Sequence, residues 1–202
     1  MQKLLELFDR SVWLVPGSRP AVFYLADREG GGILINTPPF SEARARELNE
    51  IAPLKFAFLP SRLGATDVSA WRKAGVTAMA YGAEAAQIAG GVDTVLDREQ
   101  RFSRTIDFLP MSGRTESSTA LRCKNKPGIV FFGPILECNA DGIPTLVAHD
   151  DDYSWENRLF GALGLQDLKY DYAFTDDFEP GRCRFGPGID QLITRELASI
   201  FA

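Results

Sequence analysis

The sequence has 202 residues, 45% of them hydrophobic, and a formal net charge of −5 at pH 7. This length and hydrophobic content suffice for one sizeable core, so we expect a single domain over residues 1–202. The acidic balance disfavours nucleic acid and anionic membranes as partners, because both select basic surfaces. No apolar run approaches the ~20 residues of a membrane-spanning helix, and the N-terminus lacks a signal-peptide pattern, so a cytoplasmic location is expected.

The first half of the chain predicts strands followed by alternating helices and strands. The β-prone segments there are 2–9 (a strand or a single helical turn), 11–15, 21–26, 33–35, 54–59 and 76–81. Ser41 is expected to cap a helix that ends before Pro53, and further helices are expected at 67–73 and 83–89. Because strands alternate with helices from residue 41 onward, we expect parallel pairing in this half.

The second half predicts a β-rich meander and two more helices. Strands are expected at 94–96, 105–111, 118–123, 129–132 and 170–174. Ser154 is expected to cap a helix that reaches Leu163, with Trp155 and Leu159 at helical spacing. A helix over 189–201 is expected to dock by its apolar face, namely Ile189, Leu192, Ile193, Ile200 and Phe201. The order fits an α/β fold, a four-layer αββα sandwich of two mixed β-sheets flanked by helices.

The loop after the strand at 54–59 stands where folds of this kind place their chemistry. Pro60 ends the apolar run, a polar loop follows, and a helix begins at Thr66 or Asp67. The pattern around this loop resembles the metallo-β-lactamase superfamily, in which the loop reads Thr-His-x-His-x-Asp-His and holds a dinuclear metal site. The four ligand positions of that motif fall on Ser61, Leu63, Ala65 and Thr66, none of which is a His or a carboxylate.

Other parts of the resemblance, which covers roughly residues 21–178, show the same loss of ligands. The segment Ser112–Ser118 resembles Pro-Gly-His-Thr-x-Gly-Ser, with Gly113, Thr115 and Ser118 matched and Arg114 at the ligand His. Arg cannot ligate a cation, because it keeps its proton and has no lone pair. Pro134 falls on the bridging Asp, and the position of the last His lies near Asp176 or Asp177.

The sequence contains one histidine, His149, whereas the superfamily's site is rich in histidine. We therefore expect no bound metal, no cofactor and no catalytic residue of the family mechanism. The predicted function is a non-catalytic binding or structural protein that keeps a residual cleft. The alternative is a hydrolase that acts through an atypical metal site or without metal. The expected cleft residues are Ser61, Arg62, Thr66, Asp67, Arg114, Thr115, Asp176 and Asp177.

Two interpretations of the cleft residues stay open. Arg62 and Arg114 would favour a small anion, a carboxylate or a phosphate, by bidentate contacts. Alternatively, Arg114 pairs with a nearby carboxylate such as Asp176 or Asp177 and fills the cleft. The hydroxyls of Ser61 and Thr66 would need an adjacent base to act as nucleophiles, so we expect them to be loop hydroxyls, with Thr66 or Asp67 capping the helix.

The remaining titratable clusters have structural interpretations. The runs His149–Asp152 and Asp176–Glu179 would bind a divalent cation only if consecutive carboxylates shared a face, and solvated turns are expected instead. The thiols of Cys123, Cys138 and Cys183 are few and widely spaced, so reduced cysteines are expected rather than a disulfide. The oligomeric state is open, a homodimer being the commonest soluble assembly.

Overall fold

The computed structural model describes residues 1–97 and 102–201. The chain separates into two compact units, Met1–Leu96 and Asp97–Ala202. The expectation of a single domain stays a prediction. In the part of the chain that is described, every helix is too short or too polar to cross a membrane.

The first unit contains a seven-stranded sheet whose strands lie side by side in chain order. They are β1 Gln2–Glu6, β2 Arg10–Val15, β3 Val22–Asp27, β4 Gly31–Ile35, β5 Leu54–Leu59, β6 Thr77–Tyr81 and β7 Thr94–Leu96. The pairs from β1 to β4 are antiparallel, and those from β4 to β7 are parallel. The parallel pairing predicted from the strand–helix alternation is confirmed.

The helices of the first unit begin and end at residues with local signals. They are α1 Glu42–Ile51, α2 Val68–Lys73 and α3 Glu84–Gln87, with a 3-10 turn at Arg62–Gly64. The Ser41 hydroxyl accepts a hydrogen bond from the Arg44 amide at 3.1 Å, as expected of an N-cap. Gly75 follows α2 with φ +91°, the left-handed conformation that ends many helices.

Trp71 anchors the core on the helix side of this sheet. Its side chain is fully buried among Tyr24, Leu34 and Leu48. Its indole Nε1 donates to the carbonyl of Pro38 at 2.8 Å, which satisfies the one polar group that the ring buries.

The second unit contains a four-stranded sheet in the order β13-β10-β9-β8. The strands are β8 Ile106–Pro110, β9 Thr119–Cys123, β10 Ile129–Gly133 and β13 Tyr172–Thr175. Strands β8, β9 and β10 pair antiparallel, whereas β10 and β13 are parallel. A two-stranded ribbon of β11 Glu137–Cys138 and β12 Pro144–Thr145 lies apart from this sheet. Both large sheets are mixed, as the sequence predicted.

Two helices complete the second unit, α4 Trp155–Leu163 and α5 Ile189–Ile200. The Ser154 hydroxyl accepts from the Asn157 amide at 3.2 Å and caps α4 as expected. Two positions of the predicted docking face are wrong, because Ile200 and Phe201 are exposed. Each stands at the last turn of its helix, beyond the core residues that cover the sheet.

Candidate functional site

The loop after β5 is fixed by hydrogen bonds within the first unit. Ser61 is fully buried, and its hydroxyl accepts from the Leu63 amide at 3.2 Å at the start of the 3-10 turn. Arg62 donates to Glu84 Oε1 twice, from its backbone amide at 2.7 Å and from Nη1 at 3.3 Å. Glu84 is itself buried at the start of α3, so the Arg62 side chain is held by a carboxylate.

The second half of this loop is attached to the end of β4. The Thr66 amide donates to the Thr37 hydroxyl at 2.9 Å, and the Thr37 amide donates to the Gly64 carbonyl at 2.9 Å. A Cβ on Gly64 would overlap the side-chain amide of Asn36, so only glycine allows this approach. Asn36 has φ +63° and donates through Nδ2 to the Ala21 carbonyl.

Asp67 differs from its expected role as a side-chain cap. It precedes α2 in the left-handed region, with φ +50°, and its side chain makes no capping hydrogen bond. Its Oδ2 instead accepts from the Phe40 amide at 3.0 Å, which ties the segment before α1 to the start of α2. Asp67 therefore occupies the N-cap position of α2, one of the two predicted alternatives, but makes no side-chain capping hydrogen bond there.

In the second unit, Arg114 belongs to a cluster of two arginines and two aspartates, the Arg114 cluster. Arg114 Nη1 lies 2.9 Å from Asp151 Oδ1 and 3.6 Å from Asp152 Oδ1. Arg158 Nη1 contacts both carboxylate oxygens of Asp152, at 2.9 and 2.8 Å. The hydrogen bond from Arg114 lowers the pKa of the Asp151 carboxyl below its usual value.

The partners of Arg114 differ from the predicted ones, and the turn that carries them is less solvated than predicted. The guanidinium pairs with Asp151 and Asp152, not with the predicted Asp176 or Asp177. The turn that carries these partners is only partly solvated, because Asp151 is 71% exposed whereas Asp152 is 6% exposed. The acidic run therefore supplies one surface carboxylate and one buried counter-ion.

The neighbours of Arg114 in the predicted motif pack against α4. A Cβ on Gly113 would overlap the Arg158 side chain, and Gly113 has φ +138°. Thr115 is fully buried, and within the described residues its hydroxyl has no hydrogen-bond partner. Ser118 is also buried and donates to the Met111 carbonyl at 2.8 Å. The matched residues of the motif thus shape a packed turn.

His149 lies beside the Arg114 cluster. Its Nε2 is 2.5 Å from Glu137 Oε1, and its backbone amide donates to Asp152 Oδ2 at 3.1 Å. The only imidazole of the chain is therefore engaged by a carboxylate. Ser61 and Thr66 lie in the first unit. There the Ser61 hydroxyl accepts from the Leu63 amide, and the Thr66 amide donates to the Thr37 hydroxyl.

A second group forms beyond the carboxyl ends of β10 and β13. These strands are parallel neighbours, so the segments that leave Gly133 and Thr175 start at the same edge of the sheet. Cys138, Asp177 and Cys183 come together there, with one potential ligand atom from each within 4.8 Å of the others. We call them the Cys–Asp–Cys group. The two sulfur atoms are bonded as a disulfide, which overturns the expectation of reduced thiols for this pair.

Asp177 is the most extensively hydrogen-bonded member of this group. Its Oδ1 accepts from the Thr175 hydroxyl at 2.6 Å, and its Oδ2 accepts from Arg182 Nη2 at 2.7 Å. The Cys138 amide donates to both oxygens, at 3.2 and 3.0 Å. The hydrogen bond to Asp177 raises the pKa of Arg182. The neighbouring Asp176 is buried, and its amide donates to the Gly133 carbonyl.

Comparison with known proteins identifies the fold. No protein-family model and no curated protein sequence matches the chain. A metallo-β-lactamase from Pontibacter korlensis is similar in structure, with a TM-score of 0.68, 13% identity, and coverage of 98% of this chain and 96% of that one. BJP-1, a subclass B3 metallo-β-lactamase of Bradyrhizobium japonicum, has a TM-score of 0.63 and 15% identity over 98% and 91%. A B3 metallo-β-lactamase with an active-site glutamic acid has a TM-score of 0.64 and 18% identity over 97% and 88%.

The chain has the metallo-β-lactamase fold. A metallo-β-lactamase fold implies a dinuclear metal site at the loop after β5, and the residues present do not fit one. Leu63 and Ala65 carry no donor atom, and the Ser61 hydroxyl is used inside the 3-10 turn. In the second unit, Arg114, which the sequence resemblance aligns with a ligand His, is a cation already paired with two carboxylates.

Sequence patterns did not reveal the Cys–Asp–Cys group. Its cysteines are separated by 45 residues and show no Cys-x-x-Cys spacing. One sequence feature did point to it: Asp177 follows the predicted strand at 170–174, and Cys138 follows the predicted strand at 129–132. Their convergence depends on β10 and β13 being adjacent and parallel, which the local pattern does not specify.

Proposed function

We propose that this protein is a non-catalytic member of the metallo-β-lactamase fold that acts as a binding or structural protein. The observation that carries the proposal is the pairing of Arg114 with Asp151 and Asp152. A guanidinium at the position of a ligand His cannot hold a metal ion, and here it is also part of a hydrogen-bonded, partly buried cluster.

The loop residues of the first unit support the same conclusion. Hydrolysis at neutral pH by the family mechanism needs a metal-bound water or a polarising metal ion. Ser61 and Arg62 have local partners in Leu63 and Glu84, and these contacts stabilise the loop. The residues at the family positions therefore maintain the fold and do not supply the chemistry.

A panel of hydrolysis assays tests this proposal. The wild-type protein, supplemented in turn with zinc, iron and manganese, is assayed on a chromogenic β-lactam, a thioester and a phosphodiester. We expect turnover no faster than that of heat-denatured protein, with an active metallo-β-lactamase as the assay control. Turnover that disappears in Arg114→Ala or Asp177→Asn would contradict the proposal, since it would assign a catalytic function to these residues.

A small anion, a carboxylate or a phosphate, remains the ligand class that we propose for Arg114. Such an anion would displace Asp151, because that carboxylate is exposed while Asp152 is buried against Arg158. Asp151→Asn should strengthen binding of inorganic phosphate measured by calorimetry, and Arg114→Ala should abolish it. Equal binding by all three proteins would contradict an anion site at Arg114.

A hydrolase with an atypical metal site is the second candidate function. The observation that favours it is the Cys–Asp–Cys group, which brings three potential ligand atoms together near a strand end. This candidate requires metal-dependent turnover in the same assay panel, abolished by Asp177→Asn and retained by Arg114→Ala.

A further inference from the structure

We infer that Cys138, Asp177 and Cys183 form a binding site for a single zinc ion when the two cysteines are reduced. Its ligand set would differ from that of the family's dinuclear site, because it takes no residue from the loop after β5 and shares with that site only Asp177, which stands near the position of the last His. The inference holds whether or not the protein is catalytic, since it concerns occupancy and not turnover.

The positions of the ligands follow from the sheet. Cys138 lies five residues beyond the end of β10, and Asp177 lies two residues beyond the end of the parallel strand β13. Cys183 returns to the same place through a turn in which its amide donates to the Glu179 carbonyl at 3.0 Å. Ligand atoms around tetrahedral zinc with Zn–S bonds near 2.3 Å are separated by about 3.8 Å. The three atoms here already lie within 4.8 Å of one another.

Hydrogen bonds hold the Asp177 carboxylate in one orientation, as is common for metal ligands. The Thr175 hydroxyl, the Cys138 amide and the Arg182 guanidinium all donate to its carboxylate. Hydrogen bonds of this kind fix the geometry of a ligand and are as important to metal affinity as the ligands are. Each carboxylate oxygen has two lone pairs, so these contacts leave acceptor capacity for a metal ion.

The two sulfur atoms are buried and have polar neighbours. Both cysteines are buried, which limits competition from bulk water. The Glu179 amide donates to Cys183 Sγ at 3.4 Å, and the Thr175 hydroxyl lies 3.6 Å from Cys138 Sγ.

The charges of the group suit a divalent ion. Two thiolates, the Asp177 carboxylate and one divalent cation carry a net formal charge of −1, and the Arg182 guanidinium, which pairs with both Asp177 and Glu179, lies beside them. Thiolate ligands select zinc over magnesium and calcium, which prefer oxygen. Three protein ligands leave the fourth tetrahedral position of zinc for a water molecule.

Oxidation and metal binding exclude each other at this site. The Cα atoms of Cys138 and Cys183 are 5.9 Å apart, a separation that suits a disulfide. Two molecules of a thiol reductant convert this disulfide to two thiols and are themselves oxidised to one disulfide. Zinc then replaces the two thiol protons, which pass to solvent. The oxidation state of Cys138 and Cys183 therefore controls whether zinc can bind.

A zinc titration with a chromogenic chelator as competitor tests the inference. Metal-free protein is prepared in two forms, reduced with a phosphine and oxidised at the disulfide. We expect one equivalent of zinc in the reduced form and none in the oxidised form. Cobalt should give a thiolate-to-metal charge-transfer absorption in the reduced form only. Folded, fully reduced protein that binds no zinc would overturn the inference.

Variants identify the ligands. Cys138→Ser and Cys183→Ser should lose zinc and the cobalt absorption, whereas Cys123→Ser, which changes a buried cysteine outside the group, should keep both. Thr175→Val removes a hydrogen bond to Asp177 and should weaken zinc binding about 10- to 100-fold. Asp177→Asn retains both thiols and should also lose affinity. Equal binding by wild type and these four site variants would assign the zinc to another place and refute the site.

Discussion

Arg158 and Asp152 form an ion pair at 2.8 Å in which 2% and 6% of the two side chains are exposed. Arg158 also donates to the carbonyls of Val147 at 2.6 Å and Ile135 at 3.0 Å. This guanidinium therefore joins α4 to the segments before and after the ribbon β11–β12. A buried charge with several partners stabilises a fold only while all the partners remain.

Removing one member of this pair should destabilise the protein strongly. Asp152→Ala leaves Arg158 buried without its counter-ion, and the free energy of unfolding should fall by about 3–5 kcal/mol. Urea unfolding followed by circular dichroism measures the change. Asp151→Ala is the matched control, because this 71% exposed carboxylate also pairs with Arg114, and since exposed ion pairs contribute little, its unfolding midpoint should stay close to that of wild type. Equal losses for the two variants would refute a special role for the buried pair.

Reduction of the Cys138–Cys183 disulfide should lower stability. The bond joins residues 45 apart in sequence, and closing a loop of that length restricts the unfolded chain by about 4 kcal/mol. The comparison is made with the Cys123→Ser variant, in which these are the only cysteines, in the presence of a chelator. The midpoint of urea unfolding should fall on addition of a phosphine reductant. An unchanged midpoint would contradict the prediction.

Stability should decline at alkaline pH through Tyr24 and Tyr170. Burial raises the pKa of both phenols, and the Asp190 carboxylate adds to the effect at Tyr170. With a folded pKa above the unfolded value, this contribution is fully present below pH about 10 and is lost as the pH rises through the folded pKa. An absorbance titration should show two of the five tyrosines ionising late. The double variant Tyr24→Phe, Tyr170→Phe should lack this late step, and its presence there would refute the assignment.

Gly64→Ala should disturb the loop after β5. The new Cβ would overlap the Asn36 side-chain amide, so one segment has to move. Overpacking of this kind costs about 1–3 kcal/mol in the free energy of unfolding. Gly186→Ala is the control, because a Cβ at that position meets no atom within 4 Å. A Gly64→Ala protein as stable as wild type would show that the loop adapts without strain.

Local signals allowed much of the fold to be predicted from the sequence. Ser41 and Ser154 cap helices through contacts three residues away, so a short window of sequence contains the cause. Parallel pairing from β4 to β6 followed from the alternation of strands and helices, whereas β7, which was predicted to belong to the meander, extends the first sheet instead. The strands β11 and β12 were missed because each has two residues and no periodic pattern.

The candidate site was less predictable because its contacts are not local. One of the two interpretations paired Arg114 with a carboxylate. Its observed partners lie in the turn before α4, and no residue near position 114 in the sequence indicates that this turn lies beside it. The disulfide likewise depends on the adjacency of β10 and β13. Residue types alone identified which positions lack metal ligands, but the partners of those positions required the three-dimensional structure.

The order of the strands has a consequence for how each unit assembles. In the first sheet every strand pairs with the next in sequence, so each step closes a short connection at a small entropic cost. In the second sheet β13 must reach β10 across the whole segment that contains β11, β12 and α4. Because folding slows as contacts become more distant in sequence, we expect pairing of β13 with β10 to be the slow step. The Cys138–Cys183 bond connects the segments that follow these two strands. In the unfolded chain it therefore keeps close together the two segments whose strands we expect to pair most slowly.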